Sequence, residues 1–344
     1  MLYAPNIHVG GGFVLLRALL DSLPEGCSVR MLLDERARAQ LEVSKAADVR
    51  WVKPTIWSRL DAERALGAMS GAGDTVLCFH GLPPVLSNRG HVIVFQQNRN
   101  YFNTIPLRNF SLRTGVRLAG ERFVSWQFRR RVDEYLVQTP SMARDLVRWY
   151  CRGMKKAEPA VRIVPFVSEL PPEPKVTVAG AEWDFVYVAD GEAHKNHRCL
   201  LEAWRVLAQQ GLRPKLALTL GARDGGLEQL MVALRAECGA EVHNLGQMPH
   251  EQVIGLYRRT RALIFPSLGE SFGLPLIEAQ QLGVPIVASE LDYVRDVCEP
   301  AQTFDPRSAQ SIARAVKRFL QQPELPLHLH SPAEFWTLLT EKMA

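Results

Sequence analysis

The sequence predicts an α/β protein of two domains, each organised around a parallel β-sheet. Three observations carry this. The chain is 344 residues long, about twice a domain of roughly 150 residues. Short β-branched runs alternate with helical stretches in both halves, the pattern of βαβ units. The alternation breaks between Pro159 and Pro174, where five prolines fall within sixteen residues, a composition suited to an interdomain connection. The expected units are residues 1–165, residues 166–330 and a closing helix over residues 331–344.

In the first unit, strands are expected at Leu2 to Pro5, Ser28 to Leu33, Asp48 to Val52, Thr75 to His80, His91 to Gln96 and Glu134 to Gln138. Helices are expected at Phe13 to Ser22 and Ser141 to Tyr150. The second helix has a clear start: Thr139 serves as N-cap and Pro140 as the first helical residue, and Met142, Leu146, Val147 and Tyr150 then recur at helical spacing. In the second unit the expected strands are Asp184 to Val188, Lys215 to Leu220, Ala262 to Phe265 and Val284 to Ala288. They are separated by helical patterns over Cys199 to Gln210, Gly226 to Glu237, Gln252 to Arg259 and Pro275 to Leu282. Ser331-Pro332-Ala333-Glu334 forms a capping box that opens a last helix carrying Phe335, Trp336, Leu338 and Leu339.

Composition bounds the function classes. At 47% hydrophobic and 22% charged residues, with a mean hydropathy of −0.07, the chain reads as soluble and globular, not disordered or fibrous. Its apolar runs, such as Phe13 to Leu16 and Val92 to Phe95, fall far short of the roughly 20 residues of a membrane helix. Met1-Leu2-Tyr3-Ala4-Pro5 carries no basic start or cleavage signature, so a cytoplasmic location is expected. Cysteines at 27, 78, 151, 199, 238 and 298 contain no Cys-x-x-Cys pair; they read as reduced thiols, not as a disulfide framework or zinc site. His194-x-x-His197 and His328-x-His330 lack the carboxylate or thiol partners of a metal site, so no metal is expected and the histidines are read as surface or capping residues.

The sharpest segment runs from Phe265 to Ala279, FPSLGESFGLPLIEA. A strand ends at Pro266, a glycine-containing loop follows, and Pro275 begins a helix, so the loop presents free backbone N–H groups beside a helix N-terminus. That arrangement suits anionic or polyhydroxylated ligands, and carboxylates such as Glu270 and Glu278 can each accept from two vicinal hydroxyls.

With LGVPIVAS over residues 282–289, Phe304-Asp305-Pro306, Val186 to Asp190, His194-Lys195-Asn196-His197, Thr219-Leu220-Gly221 and Asn244-Leu245-Gly246, this segment resembles the donor-binding signature of family-4 glycosyltransferases. These are retaining enzymes of GT-B fold, among them builders of bacterial polysaccharides and glycolipids. The resemblance covers about residues 184 to 306 and is looser in the first half. It implies two Rossmann-like domains facing across a cleft, the second holding a nucleotide-diphosphate sugar and the first an acceptor, a glycan or a lipid-linked one. It also implies that the last helix packs back on the first domain. No cofactor is implied beyond the donor substrate.

Residue by residue, the resemblance places Lys195 on the donor diphosphate, where the leaving group gains negative charge, and Glu270 on the donor sugar; these two are the expected catalytic residues. Ser271, Phe272, Gly273 and Leu274 help to hold sugar and phosphate, Glu278 binds the ribose, and Gly221, Asn244 and Gly246 complete the donor-binding set. Two positions depart from the pattern. Ala189-Asp190 stands where many relatives carry Gly-Arg, so one cation is replaced by an acid. Gln96-Gln97-Asn98 ends a strand where relatives often place a histidine; Gln97 or Asn98 can donate there but cannot titrate near neutral pH. His80 is a further cleft candidate.

Gly10, Gly11 and Gly12 precede a helix and permit close approach of a ligand backbone or phosphate. Gly10-x-Gly12, with Asp34 following about twenty residues on, also mimics a dinucleotide fingerprint, but the third glycine is Leu15. A nicotinamide oxidoreductase, a GT-B nucleotide-sugar epimerase and an inactive sugar-nucleotide-binding module therefore stand beside the transferase as alternatives.

Charge is localised. The net charge is +5, and residues 108 to 131 hold seven arginines and one acid, Glu121, for +6 of it. Val116, Ala119, Phe123 and Trp126 recur there at helical spacing. Such a helix suits the anionic inner face of a membrane, an anionic acceptor, or simple solvation of the arginines. No nucleic-acid motif accompanies it.

Overall fold

The computed structural model describes residues 1–24, 29–43, 48–102, 106–107, 110, 112–152, 158–167, 170 and 180–322. The expected last helix, from Ser331, and its packing on the first domain lie outside the described residues.

The first sheet has seven parallel strands: β1 (Leu2–Ala4), β2 (Met31–Asp34), β3 (Val49–Val52), β4 (Thr75–Cys78), β5 (His91–Phe95), β6 (Glu134–Val137) and β7 (Val161–Ile163), in the order β3-β2-β1-β4-β5-β6-β7. The helices are α1 (Gly10–Asp21), α2 (Ile56–Met69), α3 (Leu112–Phe128) and α4 (Pro140–Tyr150). Side chains of β1 alternate between two cores: Leu2 and Ala4 enter one cluster and Tyr3 the other, as the two-residue period of a strand covered on both faces requires. The Thr139 cap is present, with its hydroxyl accepting from Met142 N at 3.3 Å.

The second sheet has six parallel strands: β8 (Trp183–Tyr187), β9 (Leu216–Leu218), β10 (Val242–Asn244), β11 (Thr260–Phe265), β12 (Ile286–Ser289) and β13 (Gln302–Phe304), in the order β10-β9-β8-β11-β12-β13. Around it lie α5 (His197–Gln209), α6 (Gly225–Cys238), α7 (His250–Tyr257), α8 (Leu274–Gln281), α9 (Asp292–Arg295) and α10 (Ala309–Phe319). Each sheet reverses its winding once, between β1 and β4 and between β8 and β11. In doubly wound sheets, ligands bind beyond the carboxyl ends of the strands at that reversal.

The sequence expectation does not contain α2, β10, β13 or α9, and three further elements depart from it. The proline-rich segment begins with β7, which pairs with β6 in the register Val137↔Ile163; only three residues long, it carries no alternation long enough to read. α10 is absent from the expected list although it buries Ile312, Ala313, Ala315 and Val316, because two of its four buried positions are alanines, a weak apolar signal. α3 forms as the spacing suggests, but Val116 and Phe123 of its apolar stripe face outward while Leu118 and Ser125 are buried. Among the described residues no helix is long and apolar enough to cross a membrane, and no cluster of three or more His, Cys, Asp or Glu residues is placed to hold a metal.

Candidate active site

Two loops leave the second sheet at its point of reversal and are fastened together. After β8, residues Ala193–Lys195 form a 3-10 turn that ends at Asn196, whose φ is +63°. The Asn196 amide donates to Pro266 O (3.0 Å) and Pro306 O (2.7 Å), which explains why an asparagine and the distant Asp305-Pro306 pair belong to one pattern. Leu268 N donates to His194 O at 2.8 Å, and Tyr187 OH to Lys195 O at 2.9 Å. The hydroxyls of Ser289 and Tyr293 hold Ser267 O at 3.0 and 2.7 Å. The result is a rigid floor built from backbone carbonyls and buried side chains.

On this floor Lys195 Nζ donates to Glu270 Oε1 at 2.9 Å, and the Ser267 hydroxyl reaches the same oxygen at 2.6 Å. The lysine side chain is 18% exposed and the glutamate 12%. Burial alone favours the neutral form of both. For Glu270 its upward pull is overcome by Lys195, His194 and the Ser267 hydroxyl, leaving the carboxyl below its usual value. For Lys195 the downward pull of burial is overcome by Glu270 and Asp190, leaving the ammonium above its usual value. The pair is therefore ionised throughout the neutral range.

The first domain closes the other side. Arg99, in the turn Arg99–Phe102 after β5, donates its backbone N–H to Ser271 Oγ (2.9 Å) and its Nη1 to Glu270 O (2.9 Å). Its Nε and Nη2 are held by Asp145 of α4 at 2.8 and 2.5 Å. Further contacts run from Thr139 Oγ1 to Ser271 O, from Ser141 N to Asp296, and between Arg144 and Asp292. A cavity of 210 Å³ lies between the domains, lined on one side by Gln97, Asn98, Arg99, Asn100, Thr114, Arg117 and Leu118 and on the other by Asp190, Glu192, His194, Lys195, Gly269, Glu270 and Ser271.

Of the residues expected from sequence, this cavity unites Lys195, Glu270, Ser271, Gln97 and Asn98. Gln97 donates to Phe79 O at 2.6 Å, leaving its buried Oε1 without a hydrogen-bond partner. Phe272, Gly273 and Leu274 lead away from it into α8; Phe272 is buried, and Gly273 adopts φ +78°. Gly10, Gly11 and Gly12 start α1 at the domain junction, where a Cβ on Gly11 would sit 3.1 Å from Leu274 Cδ1 and one on Gly12 3.1 Å from Gln97 Oε1. Glu278 is buried, accepting from Tyr257 OH at 3.4 Å and lying 2.9 Å from His250 Nε2. Asn244 Oδ1 accepts from Leu220 N and Gly246 N, both at 3.0 Å, and Gly221 N donates to Asp224; these residues brace the ends of β9 and β10. His80 stacks edge-on against Tyr3, lies 3.3 Å from its carbonyl oxygen, and burial pushes its pKa down to about 4.

His194 and His197 are buried, not surface residues. His194 Nε2 lies 4.0 Å from Glu270. His197 stacks on Tyr187 at 4.8 Å, with its pKa pushed down to about 3 by burial and then by Lys195. Arg99 and Glu192 escaped the sequence reading because single charged residues in loops carry no periodicity.

Residues 173–334 match the family described as glycosyl transferases group 1. This part of the chain resembles the group 1 glycosyl transferases. It is 32% identical over 155 residues to the serotype-specific mannosyltransferase WbdA of Escherichia coli, covering 44% of this chain and 19% of that protein. The O-antigen chain mannosyltransferase B of E. coli is 31% identical over 139 residues, 40% of this chain and 36% of that one. The chain thus spans well under half the length of either mannosyltransferase. Among solved structures, sucrose-phosphate synthase from Thermosynechococcus elongatus superposes with a TM-score of 0.67 at 19% identity, covering 94% of this chain and 89% of that one. The two-domain GT-B architecture implied by the sequence resemblance is the architecture observed. The Lys195–Glu270 pair lies within the matched segment, Arg99 reaches it from the other domain and Arg117 lines the same cavity.

Proposed function

We propose that the protein is a retaining glycosyltransferase that moves a hexosyl unit, with mannosyl as the first candidate, from a nucleotide-diphosphate sugar to a hydroxyl of a glycan or lipid-linked acceptor. The observation that carries this reading is the buried Lys195–Glu270 pair at the interdomain cavity, in a segment that resembles the group 1 glycosyl transferases. The E. coli mannosyltransferases favour the mannosyl unit and a role in polysaccharide biosynthesis. Glu270 accepts hydrogen bonds from donor-sugar hydroxyls, and Lys195 compensates the charge that develops on the departing diphosphate. The acceptor oxygen bonds to the anomeric carbon on the face from which phosphate leaves, the carbon–phosphate oxygen bond breaks, and the departing phosphate oxygen takes the acceptor proton.

On the acceptor side, α3 exposes Leu112, Val116 and Phe123 among its arginines. A groove of 470 Å³ lined by Tyr101, Phe123, Trp126 and Trp149, with Arg122 and Arg152, adjoins it. Both features favour a lipid-linked acceptor at the cytoplasmic face of an anionic membrane. The test is turnover with a panel of nucleotide sugars, with glycan acceptors in solution and with lipid-linked acceptors in anionic vesicles, following nucleotide release and product anomer by NMR. Transfer with the donor's anomeric configuration kept is expected. An inverted product overturns retention, release of no nucleotide overturns the transferase, and conversion of the donor without acceptor supports the epimerase instead.

Arg99 is a positioning residue in this scheme. Arg99→Ala is expected to lower kcat/KM about tenfold or more, because it frees the Glu270 carbonyl and leaves Asp145 only its longer 3.9 Å pair with Arg148. Arg99→Lys should recover little, since an ammonium cannot bridge Asp145 and the loop together. Wild-type kcat/KM in Arg99→Lys, measured on protein of unchanged circular dichroism, would show that the fork is not needed.

A further inference from the structure

The cavity wall holds three cations, Arg99, Arg117 and Lys195, and three acids, Asp190, Glu192 and Glu270. A diphosphate entering it meets no net positive charge. Lys195 is engaged by Glu270 at 2.9 Å, and Arg99 by Asp145 and the Glu270 carbonyl. Arg117 differs. Its side chain is 62% exposed, and its ion pair with Glu121 is long at 4.0 Å. It stands on α3 of the first domain, yet its charge acts across the cleft on Glu192 of the second. Asp190 lines the same wall and its charge acts on Lys195, adding an acid to the site.

We propose that Arg117 is the second phosphate-contacting cation of the donor site, reaching the nucleotide diphosphate from the domain opposite the one that binds the donor. The inference rests on the donor reading above and adds to it a residue and a consequence. Guanidinium forks hold phosphate oxygens bidentately where an ammonium acts as a point charge. A site whose two cations lie on different domains binds diphosphate fully only when the cleft is closed, so donor affinity and domain closure become one equilibrium.

The test is calorimetric titration of the full-length chain with UDP, GDP and ADP, taking forward the nucleotide that wild type binds best. Arg117→Ala is expected to weaken that diphosphate at least tenfold and the corresponding nucleoside monophosphate much less. Arg117→Lys should fall between. In the Arg117→Ala background, Asp190→Arg should return affinity to within a few-fold of wild type, because it supplies the cation from the donor domain itself. Arg50→Ala, which removes an arginine paired with Asp61 at the far edge of the first sheet, controls for bulk charge. Affinity within twofold of wild type in Arg117→Ala overturns the inference, as does an equal loss in Arg50→Ala; loss in Lys195→Ala alone then leaves the donor reading standing. Wild type that binds none of the three diphosphates overturns the donor reading and this inference with it.

Discussion

Lys195→Ala is expected to destabilise the protein at neutral pH by about 3 kcal/mol and to abolish measurable transfer. The stability loss follows from burial: the variant leaves the Glu270 carboxylate in a site only 12% exposed without its cation, and an orphaned buried charge costs several kcal/mol. For a domain of this size, that shift lowers the apparent Tm by roughly 6–12 °C. The pH dependence has a defined sign. In wild type the Glu270 carboxyl lies below its usual value, so its contribution is present above the ordinary carboxylate pKa and is lost as pH falls through the depressed one. In the variant, burial is no longer opposed by the lysine, the carboxyl moves up, and its penalty disappears once acidification protonates it. The gap between wild type and variant should therefore be widest near pH 7 and shrink toward pH 4, measured as apparent Tm across a buffer series. A gap independent of pH would show that the lysine stem, not its charge, stabilises the loop.

Glu270→Gln is expected to separate binding from turnover. The amide keeps the size of the side chain but removes the charge that engages Lys195, so the ammonium is left available to a diphosphate. Nucleoside diphosphate affinity should be equal to or tighter than wild type, while kcat falls about 10²–10³-fold, the range for loss of one preorganised charge-stabilising group. Diphosphate affinity lost in parallel with kcat would instead mean that Glu270 acts by holding the Lys195 turn in place. Glu270→Ala should lose kcat at least as severely.

Much of the second domain was legible because its signals are local. The run from Phe265 to Ala279 places a strand end, a loop with Gly273 at φ +78° and a proline-started helix in consecutive residues, and each of these depends on neighbours within four positions. The Thr139-Pro140 helix start was equally readable and is found as expected. Which residues meet in the cavity was less so. Glu270 and Lys195 appeared in the sequence as separate candidates; that they are partners depends on two loops, 75 residues apart, leaving adjacent strands of a sheet whose neighbours are not consecutive in the chain. Arg99 lies 171 residues from the carbonyl it holds, a distance over which no periodicity operates. The stripe of Val116, Ala119, Phe123 and Trp126 was read as one face of a helix, but only packing decided that Val116 and Phe123 point outward while Trp126 packs against Trp149.

What the sequence by itself determined is the two-sheet α/β class and the strand–loop–helix arrangement of residues 265–279, because backbone propensity, capping and apolar alternation act over a few residues. The tertiary structure alone decided which charges meet: that Lys195 is engaged by Glu270, that His194 and His197 are buried neighbours of that pair, and that Arg99 and Arg117 arrive from the facing domain. Electrostatic partnership is set by distance through space and by burial, and in a doubly wound fold both are fixed by strand order rather than by position along the chain.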